Sequence, residues 1–184
     1  MKIAVVGKGN VGGGLADLWE KAGHEVVARI GKEGGDVSDA DAVLFAVPGA
    51  AISAAVESVS GLEGKITIDA TNLIGTQPPA GFNSNAEFVK SKTNGPTAKS
   101  FNINFARLYD KLGGVTARPS NVWSGDEEAR SVVEQLNRDA GYEPVYAGGL
   151  ENAGAQERAI ALIFGIVQSG TGPFFYRIAA PDQL

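Results

Sequence analysis

An α/β protein built on a doubly wound, mostly parallel sheet is the fold this sequence predicts. Short β-branched apolar runs alternate with helical periodicity along the whole sequence. A glycine-rich turn directly follows the first of those runs. The 25 glycines and 8 prolines in 184 residues suit many tight turns and not a disordered chain. Neither a repeat nor a linker interrupts the alternation, so residues 1–184 read as one domain with enough chain to bury a core.

KIAVVG, closed by glycine, reads as a buried strand. The helix from Asn10 to Ala22 places Val11, Leu15, Leu18, Trp19 and Ala22 on one face. HEVVARI is a second strand. GKEGGDVSDAD is too short and too glycine-rich for a full crossover helix, and AVLFAV is the third strand, closed by Pro48. GAAISAAVESV reads as a small-residue helix, KITIDAT as a strand, and NLIGTQPPAGFN as loop. Asn85 to Lys92 is a short helix, AKSFNI and SNVWSG are strands, and a helix runs from Asp126 to about Arg138. Glu127 and Glu128 in its first turn suit the helix dipole and read as structural. EPVYAG is the last strand. The helix from Glu151 to Ser169 turns apolar almost all round after Ala159, which predicts burial or an oligomer contact.

The formal net charge of −5 argues against nucleic acid or an anionic membrane as the main partner. Cysteine is absent, so no disulfide framework or thiol nucleophile is available. No apolar run reaches the length of a membrane span, and no basic, apolar leader opens the sequence; a cytoplasmic protein is expected.

Gly7, Gly9 and Gly12 match glycine-x-glycine-x-x-glycine between a strand and an amphipathic helix, the context in which the pattern carries a mechanism. Gly7 allows the tight turn, Gly9 lets the backbone approach a pyrophosphate, and Gly12 lets helix and sheet pack closely. The helix N-terminus then offers free N–H groups to the phosphates. The expected fold is therefore Rossmann-type, and the expected ligand a dinucleotide. Proteins that select NAD place an Asp or Glu at the end of the second strand, about 20 residues past the loop. Here that position reads ARIGKEG, with Arg29 and Lys32 available and Glu33 only beyond them. A guanidinium grips a 2′-phosphate and a lysine adds charge, so NADP is favoured over NAD. Two solvated surface cations are the alternative.

Acid–base candidates are scarce. His24, the single histidine, begins the second strand, at the edge opposite the strand ends where ligands bind, and reads as structural. Tyr109 is followed by Asp110 and Lys111, the wrong spacing for a tyrosine–lysine pair. No cluster suggests a metal site and no serine sits in a nucleophile elbow, so neither a catalytic side chain nor a metal is assigned. Hydride exchange with a second conjugated ring needs none of these groups; it is positioning chemistry.

The stretches KIAVVGKGNVGGGLA, GHEVV, DADAVLFAVP, TIDATN, KSFNINFA, SGDEEA and YAGGLENA, in that order, resemble the coenzyme F-420-dependent NADP oxidoreductase family over essentially the whole sequence. The resemblance implies a Rossmann domain with a small C-terminal helical cap, a tendency to dimerise, and direct hydride transfer between NADP and a deazaflavin or flavin-like ring. It implies that Gly7, Lys8, Gly9, Asn10 and Val11 line the pyrophosphate, that Arg29 and Lys32 take the 2′-phosphate, and that Ala46, Val47 and Pro48 flank the dinucleotide. Thr71 and Asn72 would meet nicotinamide or substrate, or form a simple turn. Phe101 and Asn102 match the family's pair near the pocket, with Phe101 equally a core candidate. Gly148, Gly149 and Leu150 would lie beside the second ring, or only form a turn. Two departures stand out. The family's glycine-serine-arginine at the second strand is replaced by Ala28-Arg29-Ile30-Gly31-Lys32, and the following segment is shorter, which opens the adenine side.

Two other function classes compete. An NADP sensor without turnover fits the lack of acid–base groups equally well. A remnant hydroxyacid dehydrogenase would need a larger helical domain and a recognisable lysine and asparagine on it. The aromatic tail Phe174, Phe175, Tyr176 and Arg177 is expected to pack on the core or on a dimer mate, and a homodimer through the Ala159–Val167 helix and this tail is expected.

Overall fold

The computed structural model describes residues 1–183. In chain order its elements are β1 (Lys2–Val6), α1 (Asn10–Lys21), β2 (Glu25–Ile30), β3 (Gly35–Asp36), β4 (Ala42–Phe45), α2 (Ile52–Glu57), β5 (Val59–Ser60) and β6 (Ile66–Asp69). There follow α3 (Asn85–Thr93), β7 (Thr97–Lys99), β8 (Ser120–Gly125), α4 (Arg130–Asp139), β9 (Glu143–Tyr146), α5 (Ala153–Arg158) and α6 (Ile160–Ile166). Seven strands form one sheet in the order β2-β1-β4-β6-β7-β8-β9, parallel except where β7 meets β8. The two-residue strands β3 and β5 pair apart from it.

Alternate residues of the central strands feed two cores, which is why their sequences read as continuous apolar runs. Ile3, Val5 and Leu44 face α1 and α4 and pack with Leu15, Trp19 and Leu136. Ala4, Val6, Val43 and Phe45 face the other side, against Ile52 of α2 and Phe88 of α3. The Trp19 indole donates to the Leu136 carbonyl at 2.9 Å and ties α1 to α4. Helix α3 opens on Ser84, whose hydroxyl accepts the Glu87 N–H, while Glu87 reaches back to the Asn83 N–H. From β1 the chain turns to β2 on one side, then crosses to β4 on the other. The divergence between β1 and β4 opens a crevice at the carboxyl ends of the strands.

Some elements are shorter than the sequence predicts. The AKSFNI strand stops at Lys99, because Phe101 adopts a left-handed φ of 61° and turns the backbone out of the ladder. The helix expected from Asp126 starts with a 3-10 turn at 127–129. The helix expected over 151–169 is a 3-10 turn, α5, α6 and a π-type turn in succession, closed by positive-φ glycines 170 and 172. This helical segment is the C-terminal cap. Its α6 part leaves the body of the protein, with Leu162 69% exposed. The aromatic tail then returns to its own chain: Phe175 packs on the α1-side core, Phe174 meets Phe105 edge-on at 5.6 Å, and the Tyr176 carbonyl accepts the Ser120 N–H. No helix among the described residues is long and apolar enough to cross a membrane.

Candidate functional site

The glycine turn sits at the crevice. Gly7 has φ 115°, and its N–H donates to the Ile30 carbonyl at 2.8 Å, joining the ends of β1 and β2. A Cβ there would lie 2.2 Å from the Ala46 carbonyl oxygen, and one on Gly12 would lie 1.9 Å from the Gly7 oxygen. The protein's own packing demands both glycines. Gly9 is different: a Cβ on it would meet no protein atom within 4 Å. It caps α1, and no side chain caps the free N–H groups of that helix.

Beside this turn lies a cavity of about 690 Å³. Of the residues predicted for the cofactor, Gly7, Lys8, Gly9, Lys32, Ala46, Val47 and Pro48 line it, joined by Gly31 and one face of α2. Asn10 and Val11 form the first turn of α1 next to it, with Val11 turned inward against the core. Arg29 is not at the cavity. Side chains alternate along β2, so Ile30 enters the α2-side core while Arg29 reaches over α1 to Asp17 and Glu20, at 2.8 and 2.9 Å. Lys8 pairs at 2.5 Å with Glu33. The Lys8 ammonium, together with the Glu33 and Gly31 N–H groups, pulls the Glu33 carboxyl down to about 2.

The remaining predicted residues lie farther along the same sheet edge, in a polar network. Asn72 and Asn102 exchange hydrogen bonds: the Asn72 amide donates to the Asn102 carbonyl (2.6 Å), and the Asn102 amide donates to Asn72 Oδ1 (2.9 Å). Gln156 donates to Asn102 Oδ1 at 2.7 Å. Thr71 Oγ1 accepts from Asn85, whose amide also reaches the Gly49 carbonyl next to Pro48. The network therefore abuts the turn that flanks the cavity. Of the two places open to Phe101, the structure takes the core and not the pocket: its ring is buried on the α1 side, edge-on to Trp19 at 5.8 Å, and only its turned backbone lies beside the network. Gly148 and Gly149 form the turn after β9, and Leu150 packs with Ala86 and Ala153, away from the cavity. His24 stands at the opposite edge, 2.8 Å from Asp139.

Sequence reasoning missed the charged centre of this network. Lys99, wholly buried, donates to Asp69 Oδ2 and Glu157 Oε1, each at 2.8 Å, and to the Thr71 carbonyl. Asp69 and Glu157 are wholly buried too. Burial, and then the charge of Asp69, raise the Glu157 carboxyl above its ordinary value against the pull of Lys99. The available signal was a lysine and an aspartate closing strands that read as buried on both faces.

No protein-family model matches the sequence, and no curated protein does. Solved structures do. A provisionally assigned F420-dependent NADP reductase from Arthrobacter sp. FB24 is 24% identical, aligns over 98% of this chain and 100% of its own, and has a TM-score of 0.78. A hypothetical protein from Sinorhizobium meliloti is 24% identical over 84% of this chain and 88% of its own, with a TM-score of 0.63. A reductive aminase from Aspergillus terreus, in complex with NADPH and ethyl levulinate, is 16% identical over 93% of this chain and 62% of its own, with a TM-score of 0.61. At these identities the likeness is one of architecture: this chain has the Rossmann-type fold of the Arthrobacter structure from end to end.

Proposed function

We propose that this protein is an NADP(H)-dependent oxidoreductase that passes a hydride between nicotinamide and a second, flavin-like ring, a deazaflavin being the leading partner. The observation that carries the reading is the space over Gly9. Gly7 and Gly12 are required by internal contacts, but nothing in the protein requires Gly9 to lack a side chain. That space opens at an uncapped helix N-terminus beside a cavity large enough for half a dinucleotide, the arrangement that receives a pyrophosphate. The names of the Arthrobacter reductase and the NADPH-bound aminase support the same cofactor.

Bound NADPH supplies the hydride. The chain's part is to hold and orient. The glycine turn takes the pyrophosphate, Lys8 and Lys32 take the 2′-phosphate, and Ala46, Val47 and Pro48 wall the dinucleotide. Asn72, Asn102 and Gln156, each fixing the next, give the far end of the crevice a rigid polar wall. Lys8 and Lys32 are the titratable residues lining the cavity, which suits a transfer that moves a hydride without a proton.

Titration with NADPH and NADH, followed by nicotinamide fluorescence, tests the cofactor. NADPH should bind in the micromolar range and more tightly than NADH. Lys32→Ala should weaken NADPH about fivefold, and Arg29→Ala should change it less than about twofold, because that guanidinium is already committed to α1. Failure of both nucleotides to bind would overturn the reading. Loss of NADPH absorbance on adding oxidised F420, FMN or FAD tests turnover, and binding without it reduces the protein to a sensor.

The exposed apolar surface of α6, with Leu162 and Phe164 outermost, fits a second copy of this chain. Sedimentation should show a dimer that Leu162→Glu dissociates; a monomer at micromolar wild-type concentration would remove the dimer.

A further inference from the structure

We propose that Glu33 is a built-in surrogate for the 2′-phosphate, filling the anion subsite beside the cavity until the phosphate of NADP(H) displaces it. This rests on the dinucleotide reading above and adds a device to it. The Glu33 carboxylate is gathered among anion donors. Oε1 lies 2.5 Å from Lys8 Nζ and accepts the Gly31 N–H at 3.1 Å, and the Glu33 N–H adds a further donor. An ammonium and neighbouring main-chain N–H groups in a tight turn are what a protein presents to a phosphate. The turn is closed by the Gly34 N–H on the Gly31 carbonyl. Gly31 leaves room for it: a Cβ there would stand 2.5 Å from Glu33 Oε2 and would push the carboxylate from this position.

Position ties this subsite to the nucleotide. Lys8, Gly31 and Lys32 all line the cavity, at the carboxyl end of β2 where the adenosine ribose of a Rossmann ligand is read. Arg29, the other cation nearby, is held by Asp17 and Glu20. An incoming 2′-phosphate therefore meets two lysines, one of them already neutralised. Glu33 is solvent-exposed, so its carboxylate can swing into water once displaced. A ribose hydroxyl has no charge with which to compete, and NADH binds with Glu33 still in place.

The test is titration of wild type, Glu33→Gln and Glu33→Ala with NADPH and with NADH. The expected result is NADPH binding about three- to fivefold tighter in both variants, with NADH within about twofold of wild type. NADPH affinity that is unchanged or weaker overturns the proposal. So does a loss of NADH affinity in the variants, which would make Glu33 an acceptor for the ribose hydroxyl. Wild type that binds neither nucleotide overturns the dinucleotide reading and this one with it, whereas binding that the variants leave unaltered overturns this one alone.

Discussion

Lys99→Met should cost about 3–5 kcal/mol of folding stability, because it leaves two buried carboxylates facing each other without their cation. A domain of ordinary stability has about 5–15 kcal/mol in all, so the variant should be partly unfolded at room temperature or shift its urea midpoint by a large fraction. A loss below about 1 kcal/mol would mean that the network relaxes or admits water. Glu157→Gln separates charge from shape. Folding raises the Glu157 carboxyl above its ordinary value near 4.5, so the folded state holds the proton more tightly than the unfolded chain. The stability this provides is full below the unfolded value and is lost as pH rises through the folded one. Wild type should therefore lose stability relative to Glu157→Gln as pH climbs from about 4.5, levelling off once the buried carboxyl has ionised. The unpartnered Glu157 Oε2 suits this, since an unpaired buried oxygen holds a proton at lower cost than a charge. A difference between the two proteins that is flat with pH would refute it.

The glycine turn gives the second large effect, and it divides in two. Gly7→Ala and Gly12→Ala force a Cβ within 2.2 and 1.9 Å of backbone oxygens, and Gly7 also holds φ 115°. Each should lose about 2–4 kcal/mol of stability and abolish detectable NADPH binding. A Cβ on Gly9 would meet no protein atom within 4 Å, so Gly9→Val should lower the thermal midpoint by no more than about 4 °C, the loss from a poorer helix cap, while NADPH affinity falls at least about tenfold. Calorimetry beside a nucleotide titration separates the cases. A Gly9→Val protein that binds NADPH normally would show that the ligand never enters that space.

Local patterns were readable in the sequence and long-range placements were not. The strand–glycine–helix opening is legible because Gly7, Gly9 and Gly12 act within a single turn. The side of β2 that carries Arg29 was hidden: its charge was visible, but which core claims Ile30 depends on how the sheet packs. For a related reason the sequence left Phe101 open between core and pocket. The Phe-Asn pair marks a turn, and a φ of 61° sends the ring into the core and the asparagine to Asn72. Asp69, Lys99 and Glu157 become neighbours only when β6 and β7 lie side by side and α5 covers their ends. Two-residue strands such as β3 and β5 carry no periodicity to detect.

The returning tail has a consequence for motion. Backbone groups of alternate residues in β8 point to opposite sides, so Trp123 serves β9, through its carbonyl, while the Ser120 and Val122 N–H groups face the tail. Both are satisfied by Tyr176, through its carbonyl and its hydroxyl. The only chain route from α6 to that strap runs through the Gly170–Gly172 bend. A load placed on α6 is expected to reach the sheet through that bend, and to show first at the hydrogen bonds of Ser120 and Val122. Their amide exchange rates become a gauge, read inside the sheet, of what happens on an arm outside it.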